Sequence, residues 1–272
     1  MKMNLFSFFI AVVCFGIGEH LFGQPGSTQP VESYTHTIQS KRPLEDVVTL
    51  LRENYGVVVH FEDVMVVNPS DIVDESIKKD GSALGRRSKT FNLRIDVVRK
   101  RMPDVRAGLE SIVQQYNSQD LTGKYRIKPA GPLFSIAPWK AKDRFEVLTE
   151  TQSPLDVPLT IAEQRLDGLE MMRVFCDALT RAAGVQVYPG VSTKAMAAGV
   201  GTLKADGEEA RLVLARALGS MERKDTRIQA PMLAHRWLLY YSIERKAFLL
   251  HLMVYDPLGE KLRSVGESPR FR

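Results

Sequence analysis

Cysteine is almost absent from this chain, and that absence excludes a disulfide-stabilised fold. Among 272 residues only Cys14 and Cys176 are cysteines. Cys14 falls in the predicted export signal, so the mature chain would keep one thiol with no intramolecular partner. Cys176 lies on the apolar face of a predicted helix, where we expect a buried and unreactive thiol rather than a nucleophile.

Motifs for catalysis and cofactor binding are also absent. The sequence has no Gly-x-Ser-x-Gly nucleophile elbow, no Gly-x-x-x-x-Gly-Lys-Ser/Thr phosphate loop and no Gly-x-Gly-x-x-Gly dinucleotide fingerprint. Its five histidines include no His-x-x-x-His pair, and no cysteine pair completes a metal shell. We therefore expect a protein that is not an enzyme and binds neither metal nor cofactor. A hydrolase with an unfamiliar site is the alternative.

A strong excess of one charge sign is missing as well. The 37 basic and 32 acidic residues give a formal net charge of +5, which fits anionic partners but not a nucleic-acid-binding arm. Basic residues concentrate between Arg86 and Arg106, where guanidinium groups could meet the oxyanions of a glycan or a lipid head group. A solvated loop and outer strand face would carry the same charges. The candidate contact residues are Arg86, Arg87, Arg99, Lys100 and Arg101.

The N-terminus has the pattern of an export signal. Lys2 precedes an uncharged and mostly apolar run from Leu5 to Ile17. That run has the length of a signal-peptide core and is shorter than the ~20 residues of a membrane-spanning helix. We expect a signal peptide over residues 1–23, a flexible leader over 24–33, and a mature protein in the periplasm or outside the cell. An uncleaved anchor is the alternative interpretation.

A helix, a glycine and a strand are written twice in the chain. Apolar residues within 44–51 recur at i, i+3, i+4 and i+7, and Gly56 and a short β-branched strand follow. The same spacing recurs within residues 172–179, again followed by a glycine, Gly184, and a strand. Because glycine readily adopts the left-handed conformation that ends helices, both glycines are predicted to mark helix ends.

Later elements repeat in the same order. Helical spacing over residues 105–116 recurs over 210–221, and hairpins are predicted over 125–136 and 237–254. This pattern predicts an α+β fold of two tandem small modules, each a short mixed sheet with two helices packed on it. Two unrelated α+β domains would be the alternative.

The predicted boundaries follow from composition. The first module spans residues 34–137 and the second 157–255. Between them residues 138–156 are charged and bracketed by prolines, which is typical of a linker, and residues 256–272 are predicted to be a flexible tail. Two further stretches are predicted to be loops, the charged segment Asp71–Lys89 and the Gly-rich segment Ser192–Gly207.

The first module resembles the short N-terminal domain of secretins and TonB-dependent receptors. The resemblance rests on the helix that begins Leu44-Glu45-Asp46-Val47-Val48, the strand Phe91-Asn92-Leu93-Arg94-Ile95, the helix over 105–113 and the hairpin over 125–136. Residues 157–255 look like a second and more divergent copy. The resemblance implies a periplasmic protein-contact module, and it implies no catalytic residues.

The sequence therefore favours an exported, non-enzymatic module that contacts other envelope proteins. Such modules recruit partners by strand addition at a sheet edge or by helix docking. Trp139 lies between Pro138 and Lys140 and is a candidate anchor for a partner, with packing between the modules as the alternative. Peripheral contact with the membrane or cell wall is a further candidate interaction. Nucleic-acid binding is not expected, because Phe91 is the only aromatic residue near the basic stretch and its alternation places it in the core.

Overall fold

The computed structural model describes residues 33–40, 42–67, 72–74, 86–88, 91–98, 104–121, 123–192, 199–223 and 234–255. Within these ranges the chain forms helices and mixed sheets, so the predicted α+β class is confirmed. The expected signal peptide, the expected tail, and all of the expected leader except Ser33 lie outside them. No helix in the described ranges is long and apolar enough to cross a membrane.

The elements of the first half come in this order: β1 (Ser33–Ser40), α1 (Pro43–Tyr55), β2 (Val59–Glu62), β3 (Ile72–Asp74), β4 (Arg86–Ser88), β5 (Phe91–Val98), α2 (Val105–Asn117), β6 (Gly123–Ala130) and β7 (Leu133–Lys142). A short strand, β8 (Leu148–Glu150), and a 3-10 turn (Pro154–Asp156) follow. The second half contains β9 (Pro158–Asp167), α3 (Gly168–Ala183), β10 (Val187–Ser192), β11 (Gly199–Glu209), α4 (Ala210–Gly219), β12 (Glu222–Arg223), β13 (Ala234–Ser242) and β14 (Ala247–Tyr255).

Helices α1 and α3 end at the predicted glycines. Gly56 and Gly184 both have a φ of 67°, in the left-handed region that favours glycine. The N-termini of α2 and α3 are capped by Asp104 and Asp167, whose carboxylates accept backbone N–H groups of the first turn. Short-range sequence therefore sets where these helices begin or end.

One central sheet contains strands from both halves. Its strands follow the order β10-β14-β13-β2-β7-β6, and β8 pairs with the far end of β7. β2 runs parallel to both β7 and β13, and β10 runs parallel to β14. Smaller sheets form from β1 and β5, from β9, β11 and β12, and from β3 and β4. The direct pairing of β13 with β2 is what carries the central sheet across the two halves.

Strand register is the same in the two halves. The pairs are Val59–Phe134, His60–Ser135 and Phe61–Ile136 in the first half, and Val187–Phe248, Tyr188–Leu249 and Pro189–Leu250 in the second. Phe61 and Pro189 therefore occupy equivalent positions. The β6–β7 and β13–β14 hairpins continue this match, so that Ile127 of β6 is equivalent to Leu239 of β13.

The two halves bury their cores against opposite faces of the central sheet. Phe61 and Leu238 pack in one core with residues of α1 and α2. Trp237 and Leu239 pack in the other core with residues of α3 and α4. Because successive residues of a strand point to opposite faces, β13 contributes to both cores.

The prediction of a loop over residues 192–207 is wrong for two parts of that range. Ser192 ends β10, and residues 199–207 belong to β11, which pairs antiparallel with β9. Gly201, Leu203 and Ala205 are buried and alternate with exposed residues. This period of two outweighs the low strand propensity of the glycines.

Two other stretches contain more regular structure than expected. β3 and β4 form an antiparallel pair within the segment 71–89 that was predicted to be a loop. In the expected linker, 138–156, residues 138–142 continue β7, residues 148–150 form β8 and residues 154–156 form the 3-10 turn. The prolines and charges of that segment are typical of a linker, but the segment contains β8, which pairs with β7 of the central sheet.

Candidate functional site

β2 and β13 bring the two halves of the chain together. Leu238 lies opposite Phe61, and Leu239 lies opposite Glu62. The Asp63 N–H extends this pairing by donating to the Leu239 carbonyl at 2.8 Å. Polar side chains gather on both faces of this pairing, which we name the β2–β13 joint.

A fully buried ion pair lies on one face of the joint. Arg211 of α4 donates through Nε and Nη2 to the two carboxylate oxygens of Glu62 at 2.7 and 2.6 Å, and both side chains are 0 % exposed. Ser135 of β7 donates to the same carboxylate, and Arg211 also donates to Asp156 at 2.8 Å. Burial disfavours the guanidinium charge, but Glu62 and Asp156 outweigh it and raise the pKa of Arg211. Arg211 therefore stays charged inside the protein.

Further charges surround this ion pair. Lys128 of β6 donates to Asp156, and its Nζ lies 3.7 Å from a carboxylate oxygen of Glu209. Burial raises the pKa of Asp156, but the hydrogen bonds and charges of Lys128 and Arg211 leave it below its ordinary value. Catalytic acids and bases must reach a substrate, whereas these groups are paired with one another and shielded. The cluster is suited to holding α4 and the 3-10 turn against β2 and β6.

His60 and Trp237 stack beside this cluster. Their ring centroids lie 3.4 Å apart with planes 2° from parallel, and the backbone N–H of Trp237 donates to His60 Nδ1 at 3.2 Å. Burial, then the charges of Arg236 and Arg211, lower the pKa of His60 well below its ordinary value. The imidazole is therefore neutral at physiological pH and serves as a hydrogen-bond acceptor for the β13 backbone.

A second polar cluster ties the start of α1 to β13. Arg42 donates to Asp63 at 2.8 Å and to the Tyr241 carbonyl at 2.9 Å, and its guanidinium lies 5.0 Å from the Tyr240 ring centroid. The Tyr240 hydroxyl donates to Glu45 at 2.7 Å. Burial raises the pKa of both Glu45 and Tyr240. The hydrogen bond from the neutral Tyr240 phenol to the Glu45 carboxylate therefore links β13 to α1.

Among the described residues the two most exposed large apolar side chains, Phe145 and Val147, lie on the turn between β7 and β8, and Leu148 begins β8. Phe145 is 68 % exposed, Val147 57 % and Leu148 40 %, and we name these three residues the hairpin tip. The Asp143 carboxylate accepts the N–H groups of Phe145 and Val147 at 2.8 and 3.1 Å, which fixes the turn. Glu146 completes it with a positive φ of 63°. The turn therefore presents apolar side chains to solvent on a hydrogen-bonded backbone.

Trp139 lies in the stem of the same hairpin. It is half-buried in β7, its carbonyl accepts the Thr151 N–H at 3.0 Å, and the Lys140 ammonium lies 4.4 Å from its ring centroid. The sequence prediction thus selected a residue of this hairpin as an anchor but missed its tip. The signal is the set of apolar residues Phe145, Val147 and Leu148 within a charged stretch whose composition is typical of a linker.

The predicted basic contact residues are not assembled in the described part of the chain. Arg99, Lys100 and Arg101 lie outside the described residues, and for Arg86 and Arg87 only the β4 backbone is described. The sequence analysis did not select the buried residues Glu62 and Arg211, although the position of Arg211 carries a signal. Arg211 stands in the apolar stripe that Leu214 and Leu218 continue at i+3 and i+7, and a charge at such a position signals a buried partner.

Cys176 is buried, and burial raises the pKa of its thiol to about 12, as expected for an unreactive thiol. Among the described residues no group of His, Cys, Asp and Glu could hold a metal ion. Comparison of the chain with protein-family models, with curated proteins and with solved structures finds no match.

Proposed function

We propose that this chain is an exported, non-enzymatic protein-interaction module that contacts another envelope protein through the hairpin tip. The observation that carries the proposal is the concentration of exposed apolar surface. Three of the eight large apolar residues that are exposed in the described part fall within residues 145–148, on the β7–β8 turn and the first residue of β8. Scattered apolar residues are ordinary on protein surfaces, whereas clustered ones mark interaction sites.

The rigidity of the turn favours binding. Each of the three side chains could contribute ~1.5–3 kcal/mol if fully buried by a partner. Ordering a flexible loop would consume part of that free energy. The two hydrogen bonds that Asp143 accepts from the turn support a turn that needs little further ordering on binding.

The polar clusters support a non-enzymatic role. Three residues of the β2–β13 joint, Glu62, Asp156 and His60, have side chains suited to acid–base catalysis, and each is engaged by other groups of the joint. Their positions are accounted for by the need to satisfy buried polar groups. No reacting group is left over among them for a substrate.

Duplication of an ancestral unit is part of the proposal. The matched register of β2–β7 and β10–β14, and the equivalent glycines at the ends of α1 and α3, support it. We infer that both halves derive from a unit similar to the short N-terminal domain of secretins and TonB-dependent receptors. Protein contact is the character that this resemblance implies.

The hairpin tip can be tested with a photo-crosslinking residue in place of Phe145. Cross-linking in an envelope fraction identifies the partner, and its affinity is then measured by calorimetry with the purified proteins. We expect F145S/V147S to weaken binding at least about tenfold, which corresponds to loss of about 1.4 kcal/mol. The matched control is L169S/L212S, which removes two exposed leucines from α3 and α4. Equal affinities of the two double variants would overturn the proposal.

Export can be tested separately. We expect the protein made in its native host to appear outside the cytoplasm with Gln24 as its first residue, because residues 1–23 have the pattern of a cleaved signal. N-terminal sequencing of the protein from the cell fractions checks both points. A cytoplasmic protein beginning at Met1 would contradict this part of the proposal.

A further inference from the structure

The β2–β13 joint identifies which strand edges of the two halves fit each other. The central strands have the same order in each half, β10-β14-β13 and β2-β7-β6, and β13 meets β2. The outer strands β10 and β6 are the equivalents of β2 and β13. Among the described residues no strand pairs with the outer side of either. A second copy of this chain could therefore offer its β10 to β6 in the same parallel arrangement.

Pro189 removes a hydrogen-bond donor from the outer edge of β10. The Phe248 N–H donates to the Gln186 carbonyl at 2.8 Å, so the backbone of Gln186 faces β14. Backbone groups of successive residues point to opposite sides of a strand, and the backbones of Val187 and Pro189 therefore face outward. The equivalent of Pro189 in β2 is Phe61, which faces β13. A proline at this position has no N–H to donate to an incoming strand.

Asn117 and Pro129 change the outer edge of β6 in two ways. Asn117 of α2 accepts the Tyr125 N–H at 2.9 Å and donates to the Tyr125 carbonyl at 2.7 Å. This side chain thus occupies both backbone groups of Tyr125 that a neighbouring strand would use. Pro129 is four residues further along, faces the same side and lacks an N–H. Ile127 is left as the ordinary backbone position between two altered ones.

At the internal joint the equivalent positions carry no proline, and the side chains that accept their N–H groups come from β2 and the residue after it rather than from a helix. The Leu239 carbonyl, equivalent to that of Ile127, accepts the Asp63 N–H. Trp237 and Tyr241, the equivalents of Tyr125 and Pro129, keep backbone N–H groups that donate to His60 and Asp63 side chains. Natural sheets protect their edges with prolines and side-chain covers, and here such protection is found at both outer edges of the sheet.

We propose that β10 and β6 are the two mating edges of a head-to-tail contact between copies of this chain, and that Pro189, Pro129 and Asn117 keep that contact from forming. The contact would join two different surfaces, so it would extend into longer chains of molecules rather than close in a dimer. Gly190 stands where β2 has Glu62, so an intermolecular contact lacks the buried ion pair of the internal joint. The proposal is independent of the hairpin tip.

The first experiment opens both edges in the full chain. We expect the parent protein not to associate through its β6 and β10 edges. The weight-average mass of N117A/P129V/P189V should rise with concentration to more than twice the monomer mass. Light scattering and sedimentation up to about 1 mM measure this, since a contact with a Kd near that value would then be half formed. P132V, which replaces an exposed proline in the β6–β7 turn, is the matched control and should stay monomeric.

A mixing experiment tests the direction of the contact. P189V opens β10 alone, and N117A/P129V opens β6 alone, so each variant by itself should remain monomeric. Their mixture should form one-to-one dimers and stop there, because each partner has a single open edge. This experiment also covers the case in which the triple variant fails to fold, since each set of changes is tested separately and circular dichroism reports its folding.

Three outcomes would overturn the proposal. The first is a triple variant that folds but stays monomeric throughout the concentration range. The second is association of P189V with itself, which the head-to-tail geometry does not allow. The third is loss of the association when F145S/V147S is added to the triple variant, which would assign the contact to the hairpin tip instead.

Discussion

The two halves of the chain, residues 33–142 and 158–255, have the same order of three central strands, β2-β7-β6 and β10-β14-β13. The equivalent strands β2 and β10 nevertheless have different surroundings. β2 lies inside the sheet, where His60 and Glu62 are buried. β10 lies at its edge, where Tyr188 is 44 % exposed and Gly190 replaces the carboxylate. The apolar positions are shared, and the polar ones differ. A common core pattern is therefore compatible with either surrounding, and the internal strand is the one that carries the buried polar residues.

The second helices of the halves give the same lesson. By helical spacing Arg211 of α4 is equivalent to Arg106 of α2, as Ala210 is to Val105. Arg211 is fully buried between Glu62 and Asp156, whereas Arg106 is exposed and pairs with Glu110 on its own helix at 2.9 Å. The same residue type at the same helical position therefore serves the interior in one half and the surface in the other.

The largest expected effect comes from changing these two arginines. Arg211→Met leaves Glu62 buried without the cation that pairs with it and removes one of the cations beside Asp156, so we expect the free energy of unfolding to fall by about 3–5 kcal/mol. Arg106→Met should leave it unchanged within error because that ion pair is exposed to solvent. Urea denaturation of both variants measures the contrast.

A double variant sharpens the contrast further. Glu62→Leu combined with Arg211→Met replaces a whole buried ion pair by apolar side chains, a change that is often neutral or stabilising. It should therefore recover part of the stability lost in Arg211→Met. If Arg211→Met and Arg106→Met were equally stable, the buried cluster would not hold the halves together.

The next effect is a pH dependence carried by His60, whose equivalent in the second half is Tyr188. The pKa of His60 is lowered in the folded protein, and an unfolded histidine titrates near 6.5. Below about pH 6.5 the unfolded chain binds a proton that the folded chain excludes, so stability falls as pH falls, by up to about 1.4 kcal/mol per pH unit.

The substitution His60→Asn keeps a hydrogen-bond acceptor near the backbone N–H of Trp237, and the asparagine side chain does not titrate. Its free energy of unfolding, measured between pH 5 and pH 8, should vary less with pH than that of the parent. The difference between the two curves isolates His60 from His235 and His251, whose pKa values burial also lowers. Parallel curves would mean that His60 does not carry the effect.

The smallest effect should be the same in both halves. Gly56→Ala and Gly184→Ala each place a side chain at a φ of 67°, at a cost of about 1–2 kcal/mol. An added Cβ would meet no atom within 4 Å at either position, so no steric term separates the two variants. Thermal unfolding should give equal losses, and a large inequality would show that the two helix ends are not equivalent.

Features that depend on neighbouring residues could be predicted from the sequence. The buried faces of α1 and α3 follow from apolar spacing, and Gly56 and Gly184 end those helices as expected. β11 was missed because Gly199, Gly201 and Gly207 suggested a loop, although its alternation was present in the sequence. The end of β7 was missed because prolines and charges resembled a linker.

Features that depend on distant residues could not be predicted. Glu62 and Arg211 are 149 residues apart along the chain, so the place of Arg211 in an apolar stripe signals a buried partner but does not identify that partner. Pairing of β13 with β2 follows from no local pattern, because either strand would suit another neighbour equally well. The site residues chosen for their charge, from Arg86 to Arg101, remain a prediction.

The separation of β2 from β13 has a consequence for synthesis. Trp237 and His60, which stack in the finished protein, are 177 residues apart. A ribosome working at ~5–20 residues per second needs on the order of ten seconds or more to cover that distance. Throughout that interval the edge of β2 that pairs with β13 in the folded protein has no partner strand. The edge that is best protected in the mature molecule is thus the one most at risk while it is being made.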